Sequence, residues 1–193
     1  MLENLKKYHI LLASKSPRRR ELLGELRIPF NPISLGGIDE SFPESLPKED
    51  VPQYLAERKA DAYLSMLKRD ELIITADTLV IKGDRILGKP HSTEEAKEML
   101  RLLSGSTHKV MTGVCILTKE KRISFTSVTE VRFAEITDKE INYYIDNFLP
   151  MDKAGAYGIQ EWIGCVAVDS IKGSFYNVMG LPIHRLYQEL KQF

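Results

Sequence analysis

Phosphate chemistry needs forked or point cations, a carboxylate near the reacting centre and backbone that can approach an anion closely. Three stretches of this chain carry those residue types. Ser14-Lys15-Ser16-Pro17-Arg18-Arg19-Arg20 follows a short apolar run. Ser16 before Pro17 is a helix start, with serine as N-cap and proline at the first helical position. Three arginines in that first turn oppose the helix dipole, an arrangement better tolerated if an anion completes the site. A solvated basic turn is the plain alternative. The second stretch is Leu72-Ile73-Ile74-Thr75-Ala76-Asp77-Thr78, with Gly88-Lys89-Pro90 downstream. An apolar run of that kind reads as a buried strand, and Asp77 is expected where the strand surfaces, as a catalytic or metal-binding acid. Capping of a turn is the competing role for such an aspartate. Lys89 sits beside a glycine that lets a ligand come near. The third, Asp152 to Gln160, is rich in glycine and alanine and reads as a loop suited to close approach.

Weaker candidates are Asp39 and Glu40 in a glycine loop, either of which could hold a divalent cation. Lys59 lies among small residues on a helix, where lysine is ordinarily a surface residue.

These residues must be positioned by elements that the pattern supplies. Strands are expected at His9–Ala13, Phe30–Ser34, from Leu72 through a hairpin to Ile86, at His108–Thr118, at Arg122–Phe133 and at Val166–Ile171. The spacing predicts helices from Ser16, over Lys48–Leu67, from a Ser92–Glu95 capping box to Leu103, from a Thr137–Glu140 box to Asn147, and over Leu181–Leu190. Strands alternate with helices and neither repeats nor linkers interrupt them, so residues 1–193 are expected to form one α/β domain with a mixed central sheet flanked by helices.

Composition narrows the function. Lys plus Arg and Asp plus Glu number 27 each, so no long-range attraction to nucleic acid or anionic membrane is expected. No apolar run reaches membrane-spanning length, and a cytoplasmic location is expected. Cys115 and Cys165 are expected to be buried free thiols. The spacing of the four histidines argues against zinc.

Taken together, Ser14-x-Ser16-Pro17-Arg18-Arg19, Ala76-Asp77-Thr78 with Gly88-Lys89-Pro90, and Asp152-Lys153-Ala154-Gly155-Ala156-Tyr157-Gly158-Ile159-Gln160 resemble the Maf family of nucleoside triphosphate pyrophosphatases, over nearly the whole chain. The last motif is similar to the branch acting on dTTP and UTP. The resemblance implies an inosine triphosphatase-like fold, a homodimer, and metal-dependent hydrolysis to the monophosphate and pyrophosphate as a house-cleaning activity. The cation would be Mg²⁺, with Mn²⁺ as the alternative. Carried over by motif, Ser14, Arg18 and Arg19 line the triphosphate site, and Glu40, Lys59, Asp77 and Lys89 surround the reacting phosphate. Asp77 would serve as the general base and Glu40 as the metal ligand, with either carboxylate able to take the metal and the division between them open, and Arg18, Thr78 and Gln160 match positions tied to base selectivity. Two readings from other classes compete: a non-enzymatic nucleotide-binding regulator of septum formation, and a nucleotidyltransferase-like enzyme.

Overall fold

The computed structural model describes residues 2–193. Its strands are β1 (His9–Ala13), β2 (Asn31–Ile33), β3 (Glu71–Lys82), β4 (Arg85–Leu87), β5 (Thr107–Leu117), β6 (Arg122–Phe133) and β7 (Val168–Lys172). They form one sheet in the order β2-β1-β3-β5-β6-β7, with β4 paired to β3. β1 runs parallel to both β2 and β3, whereas β3–β4 and β6–β7 are antiparallel, so the sheet is mixed as expected. The edge position of β2 tolerates Pro32, which has no N–H for a further ladder. The helices are α1 (Pro17–Gly24), α2 (Val51–Leu64), α3 (Thr93–Leu103), α4 (Asp138–Phe148), α5 (Trp162–Ala167), α6 (Phe175–Met179) and α7 (Ile183–Leu190).

Contacts divide the chain into two compact units. The first holds the residues up to Asp77, Thr112–Ser127 and Gly180–Phe193; the second holds Thr78–Met111 and Val128–Met179. In the first, α2 lies close against the sheet because its inner face is small. Ala56 and Ala60 are fully buried, packed with Tyr63, Ile73, Cys115 and Leu117. Opposite them Gly113 has no room for a side chain, since a Cβ there would stand 2.1 Å from the Pro52 carbonyl carbon. In the second unit His108, Phe133 and Tyr157 form an edge-to-face aromatic cluster. His108 Nε2 shares a 2.8 Å hydrogen bond with the Tyr157 hydroxyl. Burial, helped by the charge of Lys82, lowers the His108 pKa to about 4.

Several expectations are corrected. β3 does not surface at Asp77 but continues to Lys82, and the carboxylate is buried, 9% exposed, within the strand. It neither caps a turn nor marks a strand end. The segment from Val166 begins as the end of α5, and β7 starts only at Val168. A turn drives this: Gly164 N–H donates to the Glu161 carbonyl at 2.9 Å. The Ser92 box is half made. Ser92 accepts from the Glu95 N–H, but the Glu95 carboxylate takes the His91 N–H at 2.7 Å. The Thr137–Glu140 box is complete. Both cysteines are free, yet Cys165 is exposed and only Cys115 is buried. Among the described residues no helix is long and apolar enough to cross a membrane.

Candidate active site

Thr75 and Asp77 are two residues apart on β3 and share a face of the sheet. Ala56 and Lys59 are three apart on α2 and share a face of the helix. The structure matches one pair to the other. Thr75 Oγ1 donates to the Ala56 carbonyl at 2.6 Å, and Lys59 Nζ reaches Asp77 Oδ1 at 2.5 Å. The buried threonine thus sets the helix on the strand, and the lysine lands on the carboxylate. Lys59 also meets Glu40 Oε1 at 3.2 Å. Only 14% of the Lys59 side chain and 13% of that of Asp77 remain exposed, against 59% for Glu40. One largely buried ammonium therefore holds two carboxylates.

The loop carrying Glu40 is fixed by α2. Leu35 N–H donates to the Tyr63 hydroxyl at 2.6 Å, and Arg58 Nη2 donates to Asp39 Oδ2 at 3.1 Å. Asp39 also accepts from the backbone and hydroxyl of Ser41, which with Arg58 hold its carboxyl below the usual range. The adjacent acids thus differ: Asp39 is engaged by Arg58 and Ser41, Glu40 by Lys59.

At the start of α1, Ser16 Oγ accepts from the Arg19 N–H at 3.4 Å, as the cap requires. Ser14, 6% exposed, accepts from the Ser16 N–H at 3.2 Å. Arg19 donates from Nε to the Gly180 carbonyl at 2.8 Å and from Nη1 to the Ala76 carbonyl at 2.9 Å. On β3, Ile74 is the last residue in register with β1 and Val80 the first with β4, and the Ala76 carbonyl lies between them. Burial lowers the Arg19 pKa most, Arg18 adds to that, and Asp77 and Glu40 oppose it. Arginine keeps its proton under such shifts. Ser14, Arg18, Arg19, Glu40, Lys59 and Asp77 are accordingly gathered within the first unit.

Thr78, Lys89 and Gln160 belong to the second unit. Thr78 follows Asp77 on β3, half-buried, while Lys89 and Gln160 are exposed. The Gly88-Lys89-Pro90 turn is tied to the small-residue loop, for Gly155 N–H donates to the Gly88 carbonyl at 3.0 Å. Gly155 adopts a φ of +68° with Val80 directly against it, which demands glycine. Sequence reasoning passed over Thr75, whose only signal is a hydroxyl two residues before an acid inside an apolar run. It also assigned nothing to Tyr144, Lys153 and Glu161, which form a largely buried polar network at the turn that carries Gln160.

A cation can be weighed against this donor set. Among the described residues no three His, Cys, Asp or Glu side chains cluster as a metal cage. Glu40 and Asp77 do converge on one point, now held by the Lys59 ammonium. A hard ion such as Mg²⁺ uses one or two carboxylates and completes its shell with water and phosphate oxygens. The pair fits that ion and lacks the nitrogen or sulfur donors of a zinc site.

Comparison with known proteins places the chain. Residues 9–193 match the family described as "Maf-like protein". A dTTP/UTP pyrophosphatase of Parabacteroides distasonis is 56% identical over 193 residues, covering 100% of both chains. One of Phocaeicola vulgatus is 56% identical over 192 residues, again with 100% of each covered. Among solved structures, the Staphylococcus aureus Ham1 protein aligns over 94% of this chain and 99% of its own, with a TM-score of 0.51 and 13% identity. That likeness concerns the fold, which is the α/β architecture expected from the motifs. With a family match from residue 9 onward and relatives more than half identical along their full length, this chain belongs to the Maf family.

Proposed function

We propose that this chain hydrolyses dTTP and UTP to the nucleoside monophosphate and pyrophosphate with the help of a divalent cation. The observation that carries the reading is the Lys59 ammonium shared by Asp77 and Glu40 within one unit that also holds Ser14, Arg18 and Arg19. The full-length relatives named for this activity support it.

Phosphoryl chemistry of this kind is mostly positioning and charge stabilisation. In this reading Ser14, Arg18 and the N–H groups opening α1 bind the triphosphate, and the Arg19 charge stands behind them. Lys59 acts as a point charge on the phosphates. An arriving triphosphate competes with the carboxylates for Lys59, and as the ammonium turns toward phosphate it frees Asp77. Asp77 then takes a proton from the attacking water. The water oxygen bonds to the α-phosphorus, the bond from that phosphorus to the bridging oxygen breaks, and pyrophosphate leaves with that electron pair. When bound, Mg²⁺ or Mn²⁺ supplies positive charge to the phosphate oxygens, held by Glu40 and Asp77. Gln160, with Thr78, selects the base. An amide offers a donor and an acceptor in one plane, matching the N3–H and a flanking carbonyl of uracil or thymine and mismatching cytosine. In this reading the enzyme works on the nucleotide pool of the cytoplasm, as a house-cleaning activity.

The test is release of pyrophosphate from UTP, dTTP, CTP, ATP and GTP in turn. Uracil and thymine nucleotides should be hydrolysed one to two orders of magnitude faster, about the discrimination that an unpaired buried polar group gives. Release of orthophosphate, or equal rates on UTP and CTP, would refute the reading.

A further inference from the structure

The second unit carries a buried polar network that the reaction described above does not use. Gly158-Ile159-Gln160-Glu161 is a turn closed by the Glu161 N–H on the Gly158 carbonyl at 3.0 Å. Ile159 is pegged in the core, 5% exposed, and Gln160 stands at the exposed corner. Both ends of the turn are held by the same tyrosine. The Gly158 N–H donates to the Tyr144 hydroxyl oxygen at 2.9 Å, and that hydroxyl donates to Glu161 Oε2. The other carboxylate oxygen accepts from Lys153 Nζ at 3.1 Å, and Lys153 also pairs with Asp152 at 2.7 Å. Tyr144 is fully buried on α4, and the Lys153 side chain is only 8% exposed. Burying a lysine and a carboxylate is costly even when they are paired, and apolar residues would fill such a space as well.

The backbone allows no slack here. A Cβ on Gly158 would stand 2.8 Å from the Glu161 carboxyl carbon and 3.1 Å from Gln160 Nε2. A Cβ on Gly164 would stand 1.7 Å from the Ile159 carbonyl oxygen. The turn can therefore be displaced only by breaking the network, and an amide that must meet two groups of a flat ring tolerates little displacement.

We propose that Tyr144, Glu161 and Lys153 are positioning residues that set the preference for uracil and thymine by fixing the turn that carries Gln160. The proposal rests on the reading that Gln160 contacts the base.

The test compares kcat/KM for UTP and CTP in the parent, Tyr144→Phe, Glu161→Gln, Gln160→Ala and the Tyr144→Phe/Gln160→Ala double variant, because this ratio cancels any loss of folded enzyme. Inhibition by inorganic tripolyphosphate reports phosphate binding separately. The UTP/CTP ratio should fall about tenfold in Tyr144→Phe and in Glu161→Gln, as expected for a misplaced specificity contact, with tripolyphosphate inhibition unchanged. The double variant should show the ratio of Gln160→Ala alone, since the two act as one unit. If Gln160→Ala collapses the ratio while Tyr144→Phe and Glu161→Gln keep it, the network is structural only and the base reading survives. If Gln160→Ala itself keeps the parental ratio, the base reading fails and this proposal with it. A fall in ratio matched by an equal loss of tripolyphosphate inhibition would also overturn positioning. Should Tyr144→Phe fail to fold, Glu161→Gln decides by the same ratio.

Discussion

Replacing Arg19 with alanine sets two effects against each other. A cation in the first turn of α1 faces the positive end of the helix dipole, and removing it there should gain about 0.3–1 kcal/mol. Against that, the side chain donates to the Gly180 carbonyl at 2.8 Å and to the Ala76 carbonyl at 2.9 Å. A hydrogen bond from a charged donor is worth about 1.5–3 kcal/mol. Arg19 is half-buried, so the lower figure applies, and the two bonds together contribute about 3 kcal/mol. The hydrogen bonds win, and Arg19→Ala should lose about 2–3 kcal/mol. In a chain of this length each kcal/mol moves Tm by about 2–4 °C, so the nucleotide-free variant should melt about 4–12 °C lower. Scanning calorimetry without ligand measures it, with Arg19→Lys as the control that keeps the charge but loses the fork. Dipole relief alone would leave the apo protein unchanged or more stable. An alanine variant melting with the parent would show that these two bonds add nothing.

Asp77→Asn should lower kcat by about two or more orders of magnitude, as loss of an acid–base group does, and near-parental turnover in folded protein would remove Asp77 from the mechanism. Chelation with EDTA should stop pyrophosphate release and Mg²⁺ should restore it; undiminished turnover under EDTA would count against the cation. Acid stability should carry the signature of His108, whose pKa burial lowers from 6.5 to about 4. The unfolded chain takes up that proton first, so its contribution is complete above about pH 6.5 and lost as the pH falls toward about 4, amounting to about 3 kcal/mol. Urea midpoints at pH 7 and pH 4.5 should therefore converge more in His108→Phe than in the parent, and an equal loss in both would contradict it.

Local chemistry made much of the fold readable. Ser16-Pro17 and Thr137–Glu140 act through neighbours within four residues, and both caps form as the sequence implies. Where the outcome depends on distant partners, the sequence is silent. β3 continues through Asp77 because a lysine eighteen positions earlier supplies the charge that lets a carboxylate stay inside a strand. The end of α5 reads as strand because Val166 and Val168 alternate at the start of the expected Val166–Ile171 strand, and periodicity cannot separate the two over so few residues. What decides it is the turn from Glu161 into Gly164, a glycine with no room for a side chain against the Ile159 carbonyl.

The chemical identities of the site were more legible than their arrangement. A lysine among alanines on a helix reads as a surface residue, since most such lysines are, and nothing local to Lys59 says otherwise. Its meaning comes from the alanines. Ala56 and Ala60 let α2 lie against β3, Thr75 fastens the helix there, and only at that distance does the Lys59 chain end on Asp77 instead of in solvent. The same logic separates Asp39 from Glu40, adjacent acids of one loop that residue type alone does not rank. Arg58 and Lys59 are also adjacent, and successive residues of a helix point about a hundred degrees apart. One cation therefore takes Asp39 and the other takes Glu40. The division of labour in the acidic loop is thus set by the pitch of the helix that holds it.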